Sequence, residues 1–179
     1  MLCFDELERR WNASPPPLAD RGEVHLIVLR AGDGAHLTPQ RVELSPAHGL
    51  IGDRWREAPN RTDESGASLI SSHLARLLVD DDAARAHLPG DNFHVDLDLG
   101  MVALPVGARL RLGTALIEIT AKPHGGCAKF RDRFGADALR WVNAPERRHL
   151  RLRGVYGRIL EAGAVTIGDA IVVVERPGA

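Results

Sequence analysis

The chain predicts a mainly β fold of the α+β kind, a barrel or sandwich decorated by several short helices. Three observations lead there. Short runs rich in Val, Ile and Leu recur along the chain, and Gly- or Pro-containing turns separate them at close spacing. Helical periodicity is confined to brief segments. The length of 179 residues makes one domain the default and is enough to bury a core.

From the N-terminus, Phe4, Leu7 and Trp11 sit at the i, i+3, i+7 spacing of a short amphipathic helix. Pro15-Pro16-Pro17 ends that helix and stiffens the connector, so residues 1–21 read as an appendage and 22–176 as the main domain. Glu23 to Arg30 has the composition of a buried strand, Gly32-Asp33-Gly34 of a turn, and Gln40 to Leu44 of a second strand. A glycine-bearing loop follows, His48 to Trp55 with Asp53 inside it, and then a polar loop over Arg56 to Gly66. Ala67 to Ser71 predicts a strand, and Ser72 an N-cap for a helix over His73 to Val79. Asp80-Asp81-Asp82 suits capping of a further turn better than metal binding, because adjacent carboxylates diverge. Strands are expected at Phe93 to Leu97, Ala108 to Leu112 and Ala115 to Ala121. After a helical stretch come strands at Val155 to Leu160, Val165 to Ile167 and Ile171 to Glu175.

The helical stretch carries the chemistry. Lys122-Pro-His-Gly-Gly-Cys127 precedes a periodic segment, Ala128 to Phe134, that stops at Gly135. A second helix is expected over Ala136 to Asn143, closed by Pro145. Gly125 and Gly126 permit unusual backbone angles and close approach of a ligand. Cys127 then lies at a helix start, where free N–H groups and nearby Lys129 and Arg131 favour a reactive, ionised sulfur; the competing reading is a small buried apolar residue. Between Lys122 and Arg158 ten basic side chains face three acidic ones, a local +7 that leaves −8 for the remainder. Such a cluster is either a solvated basic face or an anion site.

Composition excludes other classes. The net charge of −1 gives no overall drive toward nucleic acid or anionic membrane, and aromatics at 4% leave few stacking platforms. No run has the length to span a membrane, and the charged N-terminus is not a signal peptide. Cys3 and Cys127 make no disulfide framework, and reduced thiols point to the cytoplasm.

The order of the motifs resembles a known family. Gly49-Leu-Ile-Gly-Asp53, Pro89-Gly-Asp-Asn-Phe93, Leu104-Pro-Val-Gly-Ala-Arg-Leu-Arg-Leu-Gly113 with Ala115-Leu-Ile-Glu-Ile-Thr120, Cys127, Gly154-Val-Tyr-Gly-Arg-Ile-Leu160 and Gly163-Ala-Val-Thr-Ile-Gly-Asp169 follow the pattern of MOSC domains. These are similar to the C-terminal part of molybdenum-cofactor sulfurases. The resemblance spans residues 22–176 and implies a twisted β-barrel with short helices. It implies that Cys127 carries sulfur as a persulfide or ligates molybdenum, and that Asn92 and Asp53, which match the family's polar positions, help to bind the cofactor. A molybdenum cofactor is the implied ligand, with sulfur transfer or oxidoreduction as the implied activity. Its phosphate would need Lys122, Lys129, Arg131, Arg133, Arg147, Arg148, Arg151 or Arg153, and His124 is a candidate to orient the thiol or move a proton. An electron donor or a cysteine desulfurase is the implied partner, and a homo-oligomer is left open. The family's association with pyridoxal phosphate stays at family level, since no such domain is read in these residues. Two departures stand out: the residue before the cysteine, often proline in the family, is Gly126, and the acid before Asn92 is Asp91 rather than glutamate.

Two other readings remain open. One is a non-catalytic module that binds an anion or a nucleic acid through Arg147 to Arg153. The other is thiol catalysis by a Cys127–His124 pair.

Overall fold

Alternation builds the wall of the barrel. In β1 (Arg21–Ile27) Gly22 and Val24 are buried between exposed neighbours and Ile27 is buried at the strand's end, and in β8 (Arg109–Leu112) Leu110 and Leu112 are buried. The computed structural model describes residues 1–59 and 61–178. The remaining strands are β2 (Leu29–Arg30), β3 (His36–Leu37), β4 (Arg41–Ser45), β5 (Gly49–Leu50), β6 (Ala67–Ser71), β7 (Phe93–Val95), β9 (Ala115–Ile119), β10 (Val155–Glu161), β11 (Gly163–Thr166) and β12 (Ala170–Glu175). The helices are α1 (Phe4–Asn12), α2 (Ser72–Leu78), α3 (Ala128–Phe134) and α4 (Ala136–Val142).

Seven strands close a barrel in the order β1-β12-β8-β9-β10-β6-β7, with β7 returning to β1. Of the alternatives raised by the sequence, this is the barrel. All pairs are antiparallel except β6 with β7, which run parallel because α2 and the turns after it form the crossover that parallel neighbours need. A small sheet, β11-β4-β5, and the pair β2-β3 lie outside the ring.

Local chemistry explains where elements differ from expectation. The strand expected over Glu23 to Arg30 divides at Val28, whose N–H turns to donate to the Asn92 carbonyl at 2.8 Å. Helix α2 begins one residue early: Ser71, not Ser72, is the N-cap, its hydroxyl accepting from Leu74 N at 3.4 Å. Asp82 caps the short turn Ala83–Arg85 through Ala84 N at 3.0 Å, whereas Asp80 and Asp81 adopt positive φ and pair with Arg10 and Arg76. Asn60, within the loop expected over 56–66, lies outside the described residues.

Two cores result. The barrel interior is filled by aliphatic side chains around Phe93, among them Val24, Leu69, Leu110, Ile117 and Ile159. A second cluster centres on Trp141 and joins α1, α2, α3 and α4 through Leu7, Leu74, Phe130, Phe134 and Ala138. Helix α1 is fastened to it by buried Leu7 and by Glu8, which accepts from Trp141 Nε1 at 2.7 Å and from Arg147 Nε at 3.1 Å. Deleting the Leu7 side chain to alanine would cost roughly 2–5 kcal/mol.

Six of the thirteen buried residues of the second core come from one excursion. Strands β9 and β10 are adjacent in the barrel wall, with Ile119 opposite Gly157, yet residues 120–154 intervene between them. The loop before α3, both helices and the turn Pro145–Leu150 are therefore held at both ends by a single hairpin. Gly154 is where the chain re-enters the wall, with φ +101° and no room for a Cβ, which would lie 2.2 Å from the Leu69 carbonyl oxygen.

Candidate functional site

The loop from Thr120 to Cys127 has no regular structure, and side chains fix its course. Thr120 donates to the Glu64 carbonyl at 2.8 Å, and Lys122 Nζ donates to Ser65 Oγ at 2.9 Å and Thr62 Oγ1 at 3.0 Å. His124 stacks on Tyr156 of β10, with ring centroids 4.1 Å apart at 28°. Gly126 is held by Asn143, at the end of α4: its N–H donates to Oδ1 at 2.9 Å and its carbonyl accepts from Nδ2 at 3.2 Å. Proline could not make the first of these bonds. Cys127 is exposed and occupies the N-cap position of α3, its carbonyl accepting from Arg131 N at 3.0 Å.

Beside this loop opens a cavity of about 640 Å³. Lys122, His124, Arg147, Arg148, Arg151 and Arg153 line it together with Gly125, Asn143 and apolar side chains, and no carboxylate does. The sequence cluster is thus divided by the fold. Lys129 and Arg131 are exposed on α3, and Arg133 turns back to donate to the Leu88 carbonyl at 2.7 Å. Arg147 lines the cavity but is tied to Glu8 and Glu146, so it also anchors α1. Arg151 adopts a left-handed backbone and donates one N–H to the Leu104 carbonyl; partial burial lowers its pKa from the ordinary value. Among the described residues Arg148 has no carboxylate within ion-pair distance, although it faces the cavity.

Behind the cavity wall lies a buried polar group centred on Asp91. Arg153 Nη1 donates to Asp91 Oδ2 and Nη2 to the Pro89 carbonyl, while the guanidinium rests 5.3 Å from the Phe130 ring centroid. His124 Nε2 faces Asp91 Oδ1 at 3.5 Å, beyond hydrogen-bond range. Asp91 Oδ1, Arg153 Nε and His124 Nδ1 are buried with no hydrogen-bond partner in the protein. Burial lowers the His124 pKa to about 4 against the opposing pull of Asp91, so the ring is neutral at pH 7. Burial also raises Tyr156 above the ordinary phenol value, which keeps its hydroxyl protonated.

Asn92 and Asp53 enter a different cluster. Asp53 is buried and accepts five hydrogen bonds, from Arg30 N, Nε and Nη2, from Trp55 N and from Asn92 Nδ2. Asn92 also donates to the Val28 carbonyl, and its Oδ1 accepts from the Ser68 amide and hydroxyl. Burial works against the charge on Arg30, but the Asp53 carboxylate more than offsets it and the pKa ends above its ordinary value. The structure therefore brings Lys122, His124, Arg147, Arg148, Arg151 and Arg153 to one cavity beside the Cys127 loop. It places Asn92 and Asp53 in a support cluster and leaves Lys129, Arg131 and Arg133 apart. Arg30, Asp91, Tyr156 and Asn143 complete the surroundings without having been singled out for a role in the sequence. Only the Asp91-Asn92 pair offered a signal, through its place in a motif. No hydrogen bond joins Cys127 to His124 among the described residues. Nor is any group of three or more His, Cys, Asp or Glu side chains among them placed to hold a metal ion.

Comparison with known proteins agrees with this architecture. The family model described as the MOSC domain matches residues 63–172, more than half of the chain. The chain belongs to the MOSC domain family. Its fold is similar to that of YiiM from Escherichia coli, with TM-score 0.57 and 17% identity over 88% of this chain and 72% of that one. It is similar also to YuaD from Bacillus subtilis, with TM-score 0.56 and 16% identity over 84% of this chain and 94% of that one. A crystal structure described as a hypothetical protein gives TM-score 0.63 and 20% identity over 88% and 70% of the two chains. At these identities the likeness is one of fold. No protein of curated function matches the chain. Among the described residues no helix is long and apolar enough to cross a membrane.

Proposed function

We propose that the protein binds a molybdenum cofactor in the basic cavity and works through Cys127, as a sulfur carrier or a small oxidoreductase in the cytoplasm. One observation carries the reading: a cavity of about 640 Å³, lined by cations and by no carboxylate, opens two residues from an exposed cysteine on a glycine loop. The donor set fits the group. A phosphorylated pterin needs cationic partners for its phosphate, and a soft metal takes a thiolate. When bound, the cofactor would supply two-electron or sulfur-transfer chemistry at its metal.

The chain's own residues have separable tasks in this reading. Arg148 and Arg151 meet the anionic end, because Arg147 and Arg153 are already paired with Glu8 and Asp91. Neutral His124 and the Tyr156 ring form a wall that adds no charge beside the sulfur. Cys127 offers its sulfur as a ligand or as a persulfide. Electrons or sulfur come from a partner protein, an electron donor or a cysteine desulfurase.

The test is to express the protein and Cys127→Ser in a host that makes molybdenum cofactor, then release, oxidise and quantify pterin by fluorescence. Stoichiometric pterin in the parent, reduced in the variant, supports the reading. Equal pterin in both removes Cys127 from the anchor. Pterin in neither, with no extra sulfur on Cys127 by intact mass, rejects both versions and leaves an anion-binding module. Salt-sensitive nucleic-acid binding indifferent to Cys127→Ser would identify that module's ligand.

A further inference from the structure

The geometry points to Asn143 as the positioning residue for Cys127: its side-chain amide holds the backbone of Gly126 as a neighbouring strand would and thereby sets where the thiol stands. Four facts converge on it. The residue immediately before the thiol has both polar backbone groups engaged by this one side chain, N–H at 2.9 Å and C=O at 3.2 Å. The paired contact restrains the Gly126 dihedrals and with them the start of Cys127. The same turn of α4 fits beneath Gly126, where a Cβ would come within 2.7 Å of Leu139 Cδ1 and 3.1 Å of Val142 Cγ2. A side chain there would press on these methyl groups, so glycine gives the amide its closest approach. Asn143 also lines the basic cavity, so one side chain touches both the ligand space and the cysteine loop.

The remaining ties of the loop lie at Thr120, Lys122 and His124, and none of them acts on Gly126. Without Asn143 the glycine pair would span freely between His124 and the Cys127 carbonyl, which α3 holds through Arg131 N, and the sulfur would sample more directions. With Asn143 in place, the Cys127 sulfur is kept at the start of α3, beside N–H groups that the helix itself leaves unpaired. The assignment takes from the proposed function only that Cys127 is the working residue. Thiol alkylation reads its placement whatever the reaction, so an absence of pterin would sink the cofactor reading and leave this one standing.

The experiment measures iodoacetamide alkylation of Cys127 at pH 7 in a Cys3→Ser background, with melting temperature followed in parallel. Asn143→Ala removes both bonds from an exposed position, and the rate is expected to fall at least about fivefold at an unchanged melting temperature. Gly126→Ala, whose methyl meets the end of the Leu139 side chain and a Val142 methyl, is expected to slow the reaction less than Asn143→Ala does, and Leu139→Ala added to it to restore the rate by making room. Leu139→Ala alone loosens the packing but leaves the amide in place, so its rate is expected to match the parent's. A parent-like rate in Asn143→Ala overturns the assignment. So does a Leu139→Ala protein slowed as much as Asn143→Ala, because the effect would then be general loosening.

Discussion

Asp91 and Asn92 are neighbours in sequence and both buried, yet they enter polar clusters of opposite character. Asn92 joins Asp53, Arg30 and Ser68, where each carboxylate oxygen has at least two donors and the amide is used at both ends. Asp91 joins Arg153 and His124, where three buried polar atoms lack partners and the closest carboxylate–imidazole approach is 3.5 Å. A saturated cluster of buried charge contributes rigidity and has nothing left to offer a ligand. An unsaturated one costs stability, and such a cost is commonly met at working sites. The first cluster ties β2 and the Asp53 loop to the start of β7. The second backs the cavity beside Cys127.

The largest effect should come from breaking the saturated cluster. Asp53→Ala strands the Arg30 guanidinium and one end of Asn92, and a loss of about 3 kcal/mol or more in urea unfolding is expected. Little change there would mean that the cluster is not the support described.

Acid should act next, and in one direction. Burial lowers both His94 and His124 to about 4, against about 6.5 when unfolded. Below pH 6.5 the unfolded chain takes up protons that the folded chain refuses, so stability falls as pH drops toward 4. Each histidine contributes a slope of at most about 1.4 kcal/mol per pH unit in that window and none below it. His124→Phe should remove its share of the slope, which unfolding curves at pH 5 and pH 7 would show. A variant with the parent's full slope would place the titration elsewhere.

The same substitution sharpens the contrast at neutral pH. Phenylalanine keeps the stack on Tyr156 and deletes an unpartnered nitrogen, so His124→Phe should alter stability by less than about 1 kcal/mol. A loss comparable to that of Asp53→Ala would make the two clusters alike. Smallest of all, Cys127→Ser at its exposed position should stay within about 0.5 kcal/mol of the parent while changing thiol-dependent properties.

Much of this molecule was legible in its sequence, and what was not shares one cause. Helix α3 spans Ala128–Phe134 as its periodicity and the flanking glycine indicate, and the strands fall within a few residues of their apolar runs. These are local signals. The partners of the site are not local: Arg153 reaches Asp91 across 62 positions, Arg147 reaches Glu8 across 139, and Asn143 reaches Gly126 across 17. Charge counting placed Arg131, Arg133 and Arg147 in one basic cluster. Only the fold reveals that Arg133 is spent on the Leu88 carbonyl and Arg147 on the N-terminal helix. Arg30 and Tyr156 looked like ordinary strand residues, and their neighbours come from other strands and loops.

The placement of residues 120–154 between two paired strands separates the architecture of the wall from that of the site. Because β9 and β10 pair directly from Ile119 and Gly157 onward, hydrogen bonds that do not involve the intervening helices fix the register of the wall. A change in the length of that excursion alters the cysteine loop and the cavity while leaving the pairing of β9 with β10 in register.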